Sequence, residues 1–164
     1  MIPVLAFAGC VLAATGRASA AKSCIVDSAS ISFGSYDVYA GALAATGTIA
    51  MTCTWSGKGA APAPYAKLNA GNGTVNKRYM ICVSGPCLSG FSGDRLFYNV
   101  YTDAAHTTVW KNGAATGEAS TPADCSNTTC NWTIYGLIPA AIPGGTNDVA
   151  VGGYSDSLLL TVAY

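Results

Sequence analysis

The chain has 164 residues, 51% of them hydrophobic and 10% charged, and its 8 basic and 8 acidic residues cancel at pH 7. That length supports one domain with its own core, and that hydrophobicity excludes a disordered chain. Zero net charge without a basic cluster excludes direct nucleic-acid binding, and 19 Gly among short apolar runs favour an all-β domain with many turns.

The first stretch, Met1 to Ala20, is apolar and rich in small residues, and Ala18-Ser19-Ala20 has the form of a signal-peptidase site. It departs from the usual pattern in one way: no Lys or Arg precedes the apolar run, and Arg17 follows it. A membrane anchor fits less well, because the run is short and is broken by Thr15-Gly16-Arg17. A lipoprotein reading of Ala8-Gly9-Cys10 is opposed by Phe7, three residues ahead of the cysteine. The expectation is export with cleavage after Ala20, making 1–20 a signal peptide and 21–164 the mature domain.

Cleavage would remove Cys10, one of 7 cysteines, and leave Cys24, Cys53, Cys82, Cys87, Cys125 and Cys130. An even set in an exported chain suggests disulfides, and it permits many pairings. The stretches Cys82 to Cys87 and Cys125 to Cys130 are each short enough to close a turn, which leaves Cys24 with Cys53; the connectivity stays open on sequence alone. Zinc is the weaker reading, since four residues separate the cysteines of each pair, the wide end of the usual two to four, and no His joins them.

Beyond Cys24, Ile31 and Phe33 alternate with Ser32, and Gly34-Ser35 turns the chain into Tyr36 to Tyr39. Residues 40–45 are small and unpatterned and read as loop. Thr46 to Trp55 reads as a strand with Ile49, Met51 and Cys53 on one face. Pro64 to Ala70 is a further strand, followed by a Gly71-Asn72-Gly73 turn. Lys77 to Val83 is a short strand. Arg95 to Tyr101 is a strong one, with Leu96, Tyr98 and Val100 together. Thr107 to Trp110 reads as a return strand, and 112–129 as a polar loop pinned by the second close cysteine pair. Asn131 to Ile138 points Trp132, Ile134 and Gly136 inward. The last strand, Ser157 to Tyr164, places Leu158, Leu160, Val162 and Tyr164 on one face. About seven or eight short strands with this turn chemistry match a β-sandwich.

No catalytic constellation stands out. His106 is the single histidine, and no nucleophile elbow accompanies it. Asp94, Asp103, Asp148 and Asp156 are scattered and read as turn-capping groups rather than a dyad or a calcium site. Trp55, Trp110 and Trp132 could line a sugar-binding face, but the favoured reading puts Trp132 in the core and the other two at loops or edges. No enzyme activity and no cofactor are expected. Asn72, Asn127 and Asn131 open matches to the N-glycosylation pattern, which read as coincidental, Asn131 falling in a strand.

Several landmarks occur in order: an early cysteine, Ser32-Phe33-Gly34-Ser35-Tyr36-Asp37, the run Gly47 to Thr54, and Leu68-Asn69-Ala70-Gly71. Arg78-Tyr79-Met80 follows, then Leu96 to Asp103, Thr107-Thr108-Val109-Trp110, Tyr135 to Pro139, and Gly153-Tyr154-Ser155-Asp156. Together they resemble the spore coat protein U domain family, whose members include subunits of archaic chaperone–usher pili. The resemblance covers Cys24 to Tyr164. It implies an incomplete immunoglobulin-like β-sandwich that lacks one strand and is completed by a donor strand. The donor would come first from a periplasmic pilus chaperone and then, at an outer-membrane usher, from a neighbouring pilus subunit. It also implies Cys24–Cys53 as the family's recurrent disulfide. Leu158, Leu160, Val162 and Tyr164 would then line the chaperone or donor-strand groove, the Tyr164 carboxylate meeting basic groups of the chaperone. Passage through the periplasm to a surface pilus follows from the same resemblance.

One departure shapes the expectation. Cleavage after Ala20 leaves Ala21-Lys22-Ser23 ahead of Cys24, a reach of about 10 Å at ~3.3 Å per residue, too short for a donor strand. The chain is thus expected to accept a strand without giving one, as a tip or minor subunit. The alternatives are a tip adhesin-like binding module, touching its target through loops near Phe91 and between Asn112 and Cys130, and a non-polymerising secreted coat protein.

Overall fold

A computed structural model describes residues 22–55, 64–85, 94–111, 124–126 and 128–163. The expected signal peptide, Cys87, the loops near Phe91 and from 112 to 123, and Tyr164 lie outside that set. Strands dominate because β-branched and aromatic residues recur at a spacing of two between glycine- and proline-containing turns. They are β1 (Lys22–Ile31), β2 (Leu43–Trp55), β3 (Tyr65–Leu68), β4 (Gly73–Thr74) and β5 (Lys77–Ser84). Next come β6 (Arg95–Tyr101), β7 (Asp124–Ser126), β8 (Thr129–Ile138), β9 (Gly153–Ser155) and β10 (Leu160–Ala163).

The large sheet runs β1-β2-β8-β6-β5-β4, with β7 on β8 and β9 on β5. A second sheet contains β10 and β3. All pairings are antiparallel, and the architecture is an all-β, immunoglobulin-like sandwich. The alternation in β2 turns Ile49, Met51 and Cys53 inward, and Leu96, Tyr98 and Val100 meet them from β6. Trp132, Ile134 and Ile138 of β8 complete the floor of the core.

The structure corrects four local readings. Residues 43–45 are strand, not loop, because β8 is long enough to pair Leu43 with Ile138 and Ala45 with Gly136. Thr107 to Trp110 returns along the end of β6 without forming a full strand: it makes one bridge, Tyr101 to Val109, flanked by the Thr102 amide on the Thr108 carbonyl at 3.0 Å and the Trp110 amide on the Val100 carbonyl at 2.8 Å. The final strand is shorter than Ser157–Tyr164: Asp156 and Leu159 are held by turn contacts, and pairing with β3 starts at Leu160. Trp110 is neither loop surface nor edge. It is fully buried, and its indole N–H donates to the Ala66 carbonyl at 3.0 Å, tying the loop after β6 to β3.

Cys24 and Cys53 are register partners on β1 and β2 and are joined by a disulfide across 4.0 Å between Cα atoms. Cys82 and Cys130 each take part in a disulfide as well. Cys125 is opposite Cys130 in the β7–β8 ladder. The Cys24–Cys53 bridge closes a loop with a sequence separation of 29. Replacing both cysteines with Ala should therefore lower stability by about 2–4 kcal/mol. Chemical denaturation of the oxidised chain and the double variant, both bound to a complementing strand, measures the difference.

The turn after β6 is closed by Asp103. Its carboxylate accepts hydrogen bonds from the Thr107 amide at 3.0 Å, the Thr107 hydroxyl at 3.0 Å and the Thr108 amide at 2.6 Å. The Thr107 amide contributes most to holding this carboxyl down at about 2, against an ordinary 3.8. His106 occupies the left-handed region at φ 54 in the same turn, its ring edge-on to Tyr101 at 5.2 Å. A depressed carboxylate stabilises the folded turn above pH 3.8, and that contribution disappears as pH falls through about 2. Amide exchange at Thr107 and Thr108 should accordingly speed up between those two pH values relative to a control Asp103→Asn chain, in which no such step occurs.

Candidate functional site

The two sheets leave a trough between their edges. β1 pairs with β2 on one side, and β10 pairs with β3 on one side; among the described residues the other edge of each strand has no ladder partner. Unpaired edges flanking apolar side chains are where another strand can add.

The β10 side of the trough is built by a clasp. The Asn69 amide donates to the Leu159 carbonyl at 3.1 Å, while the Asn69 side-chain oxygen accepts from the Leu159 amide at 2.8 Å. Leu159 is therefore bonded toward β3. By antiparallel alternation, the main-chain groups of Leu160 and Val162 point the other way, toward the open edge. Side chains alternate as well. Leu158, Leu160 and Val162 are half-buried against the core, and Leu159 is 64% exposed on the opposite face.

Across the trough stand Ala29, Ser30 and Ile31 at the end of β1. They approach closely because two positions opposite them lack a side chain. A Cβ on Gly47 would collide with the Ser30 carbonyl oxygen and the Ile31 Cα, and one on Gly136 would meet the ends of Ile31 and Phe33. Phe33 in turn packs edge-on against Tyr98 at 5.8 Å between ring centres. The floor is Ile49, Tyr98, Val100 and Ile134.

Two cavities occupy the trough. One, of about 270 Å3, runs between β1 and the start of β10 over that floor. The other, of about 820 Å3, lies beyond it, between the 31–39 segment and the 149–156 segment, floored by Met80, Leu96 and Ile138. Leu158 and Leu160 border the smaller cavity; Val162 packs on the core beside it. Tyr164 lies outside the described residues. The floor residues each show in the local period-two patterns, but nothing local says that they meet, or that Ala29 to Ile31 face them as the opposite wall, because these segments lie far apart in the chain.

Polar groups anchor the trough. Asp156 accepts from the Tyr98 hydroxyl at 2.8 Å, the Asn72 amide at 3.1 Å and the Ser157 amide at 2.8 Å. Burial, reinforced by Asp156, pushes the Tyr98 phenol far up, so this hydroxyl stays a donor. Arg78 is fully buried beneath. It donates to the carbonyls of Asn69 at 2.8 Å and Trp110 at 2.7 Å and to the Asn99 side chain at 2.6 Å. Burial lowers its pKa, opposed by Tyr98 and Asp156.

Such a trough can bind an extended segment. No group of three or more potential metal ligands occurs among the described residues, and none of their helices is long and apolar enough to cross a membrane. Trp110 and Trp132 are both buried, so neither offers a ring to a sugar.

The family model for the Spore Coat Protein U domain matches residues 9–161. No curated protein matches. Among solved structures, a chain of the chaperone–tip adhesion subunit pre-assembly complex from archaic chaperone–usher Csu pili of Acinetobacter baumannii is similar, at 16% identity and a TM-score of 0.50. The match covers 89% of this chain and 40% of that one, so this chain spans less than half of its length. At that identity the likeness concerns the fold.

Proposed function

The chain belongs to the Spore Coat Protein U domain family, and from that premise we propose that it is a non-enzymatic, exported pilus subunit whose trough takes a strand from a periplasmic chaperone and later from a neighbouring subunit. One observation supports the reading: among the described residues, β1 and β10 each have an edge without a ladder partner on either side of an apolar floor, the arrangement that an added strand would complete. The signal-peptide pattern of Met1 to Ala20 and the disulfides agree with passage through the periplasm to the cell surface. Leu158, Leu160 and Val162 form the acceptor wall.

The position we propose is a tip or a minor one. With cleavage after Ala20, the next residues are already committed, because Lys22–Ile31 pairs along β2 and is not free for donation. Mass spectrometry of the mature N-terminus checks this; an alternating extension ahead of Lys22 would restore a donor and remove the argument.

The test of the acceptor reading is co-expression. Produced with a chaperone of its own assembly system, the full chain should be recovered as a soluble one-to-one complex. Produced alone, it should be degraded or aggregate, since an apolar trough and two open edges remain exposed. A stable, soluble monomer that retains no chaperone would remove the basis for the reading.

A further inference from the structure

The two cavities meet at a waist. Ile31 and Asp156 border both of them, one from each wall. We infer that Asp156 fixes the register of the incoming strand, and that this strand carries a hydrogen-bond-donating side chain, such as Lys or Thr, at the position that crosses the waist. The inference rests on the donor-strand reading above.

The carboxylate is held where an inserted strand must pass it. Three donors orient it: the Asn72 and Ser157 amides and the Tyr98 hydroxyl. Gly71, at φ +56, makes the space, since a Cβ there would lie 2.3 Å from the carboxylate oxygen and 2.6 Å from Leu158. All three donors are neutral, and one of them, the Asn72 amide, is shared between the two carboxylate oxygens at 3.1 and 3.3 Å. Arg78 adds no hydrogen bond to it, because its own go to main-chain carbonyls and to Asn99.

On the side of the smaller cavity the lining around this group is mostly apolar: Ile31, Ile49, Leu68, Val100, Ile134 and Leu158. A strand that covered Asp156 with an aliphatic side chain would take from water a carboxylate held by three neutral donors, which is costly. A donor at that point replaces the lost water and lets the shared Asn72 amide settle on one oxygen. Slipping the strand by two residues would keep the same side chains facing inward but place an apolar one over Asp156. One polar group in an apolar seam thereby selects one register, as a lone buried polar residue does in a coiled coil.

The experiment uses synthetic alternating apolar strands that differ only in one central side chain: Lys, Thr, Leu or Glu. The oxidised full chain is refolded with each, and affinity is read by competition against a fluorescent version. The Lys and Thr strands should bind at least tenfold more tightly than the Leu strand, with Glu weakest. In Asp156→Asn, which keeps an oxygen for the Asn72 and Ser157 amides, the advantage of Lys over Leu should fall to within about threefold, the Thr strand still binding. Equal affinity for all central residues, or an unchanged Lys preference in Asp156→Asn, overturns the register role while leaving the acceptor trough standing. If no strand of any composition binds, the donor-strand reading fails, and the register role with it.

Discussion

Leu160→Asp is expected to weaken capture of a chaperone or donor strand by about 100-fold or more, while Leu159→Asp next to it leaves capture within about twofold. The contrast follows from the two faces of one strand. Leu160 borders the smaller cavity and packs against the core, and its main-chain groups face the open edge. A carboxylate there would be covered by the incoming strand with no partner in reach. Removing a charge from water without a partner costs several kcal/mol, and each ~1.4 kcal/mol is a factor of ten. Leu159 is 64% exposed and bonded by its main chain to Asn69, so its side chain points away from the trough. Pull-down of the chaperone with each variant, normalised to expressed chain, reads the difference. Equal retention by both variants would place the acceptor wall elsewhere.

Much of this wall was legible in the sequence because it is local. The period-two pattern of Leu158, Leu160 and Val162 is written in consecutive residues, as are the inward faces of β2 and β6. The other half was not, since it depends on pairing between distant segments. Nothing near Ile31 announces that it stands opposite Asp156, 125 positions on, and Gly136 looks like an ordinary small residue until Ile31 and Phe33 are seen packed over it. Residues 43–45 lack any pattern of their own; they are strand because β8 extends far enough to pair with them. Trp110 and Arg78 were missed for a related reason. Both are types that usually keep some contact with water, and both are buried because carbonyls of distant segments satisfy their donors.

Arg78 is where the second large effect is expected. Its guanidinium joins the two sheets: it rises from β5 in the large sheet and donates to the Leu68 and Asn69 carbonyls at the end of β3 in the small one. The same group donates to the Val75 and Trp110 carbonyls and to Asn99. Arg78→Ala removes every one of these donors at once and leaves buried acceptors without partners, each worth about 1–3 kcal/mol. Relaxation and entering water will offset part of that sum, so a net loss of about 3–5 kcal/mol is expected. Arg78→Lys should recover little of it. An ammonium on a flexible stem cannot reach carbonyls spread in a plane around a guanidinium, and burial disfavours its charge. The loss should also reach function, because β3 is the partner that holds β10 in place. With β3 untied, the clasp from Asn69 to Leu159 loses its support and the acceptor wall is no longer preorganised. Denaturation of strand-complemented Arg78→Ala and Arg78→Lys measures the stability term, and strand affinity measures the second. An Arg78→Lys chain that matches the parent in both would mean that the guanidinium geometry is not what joins the sheets.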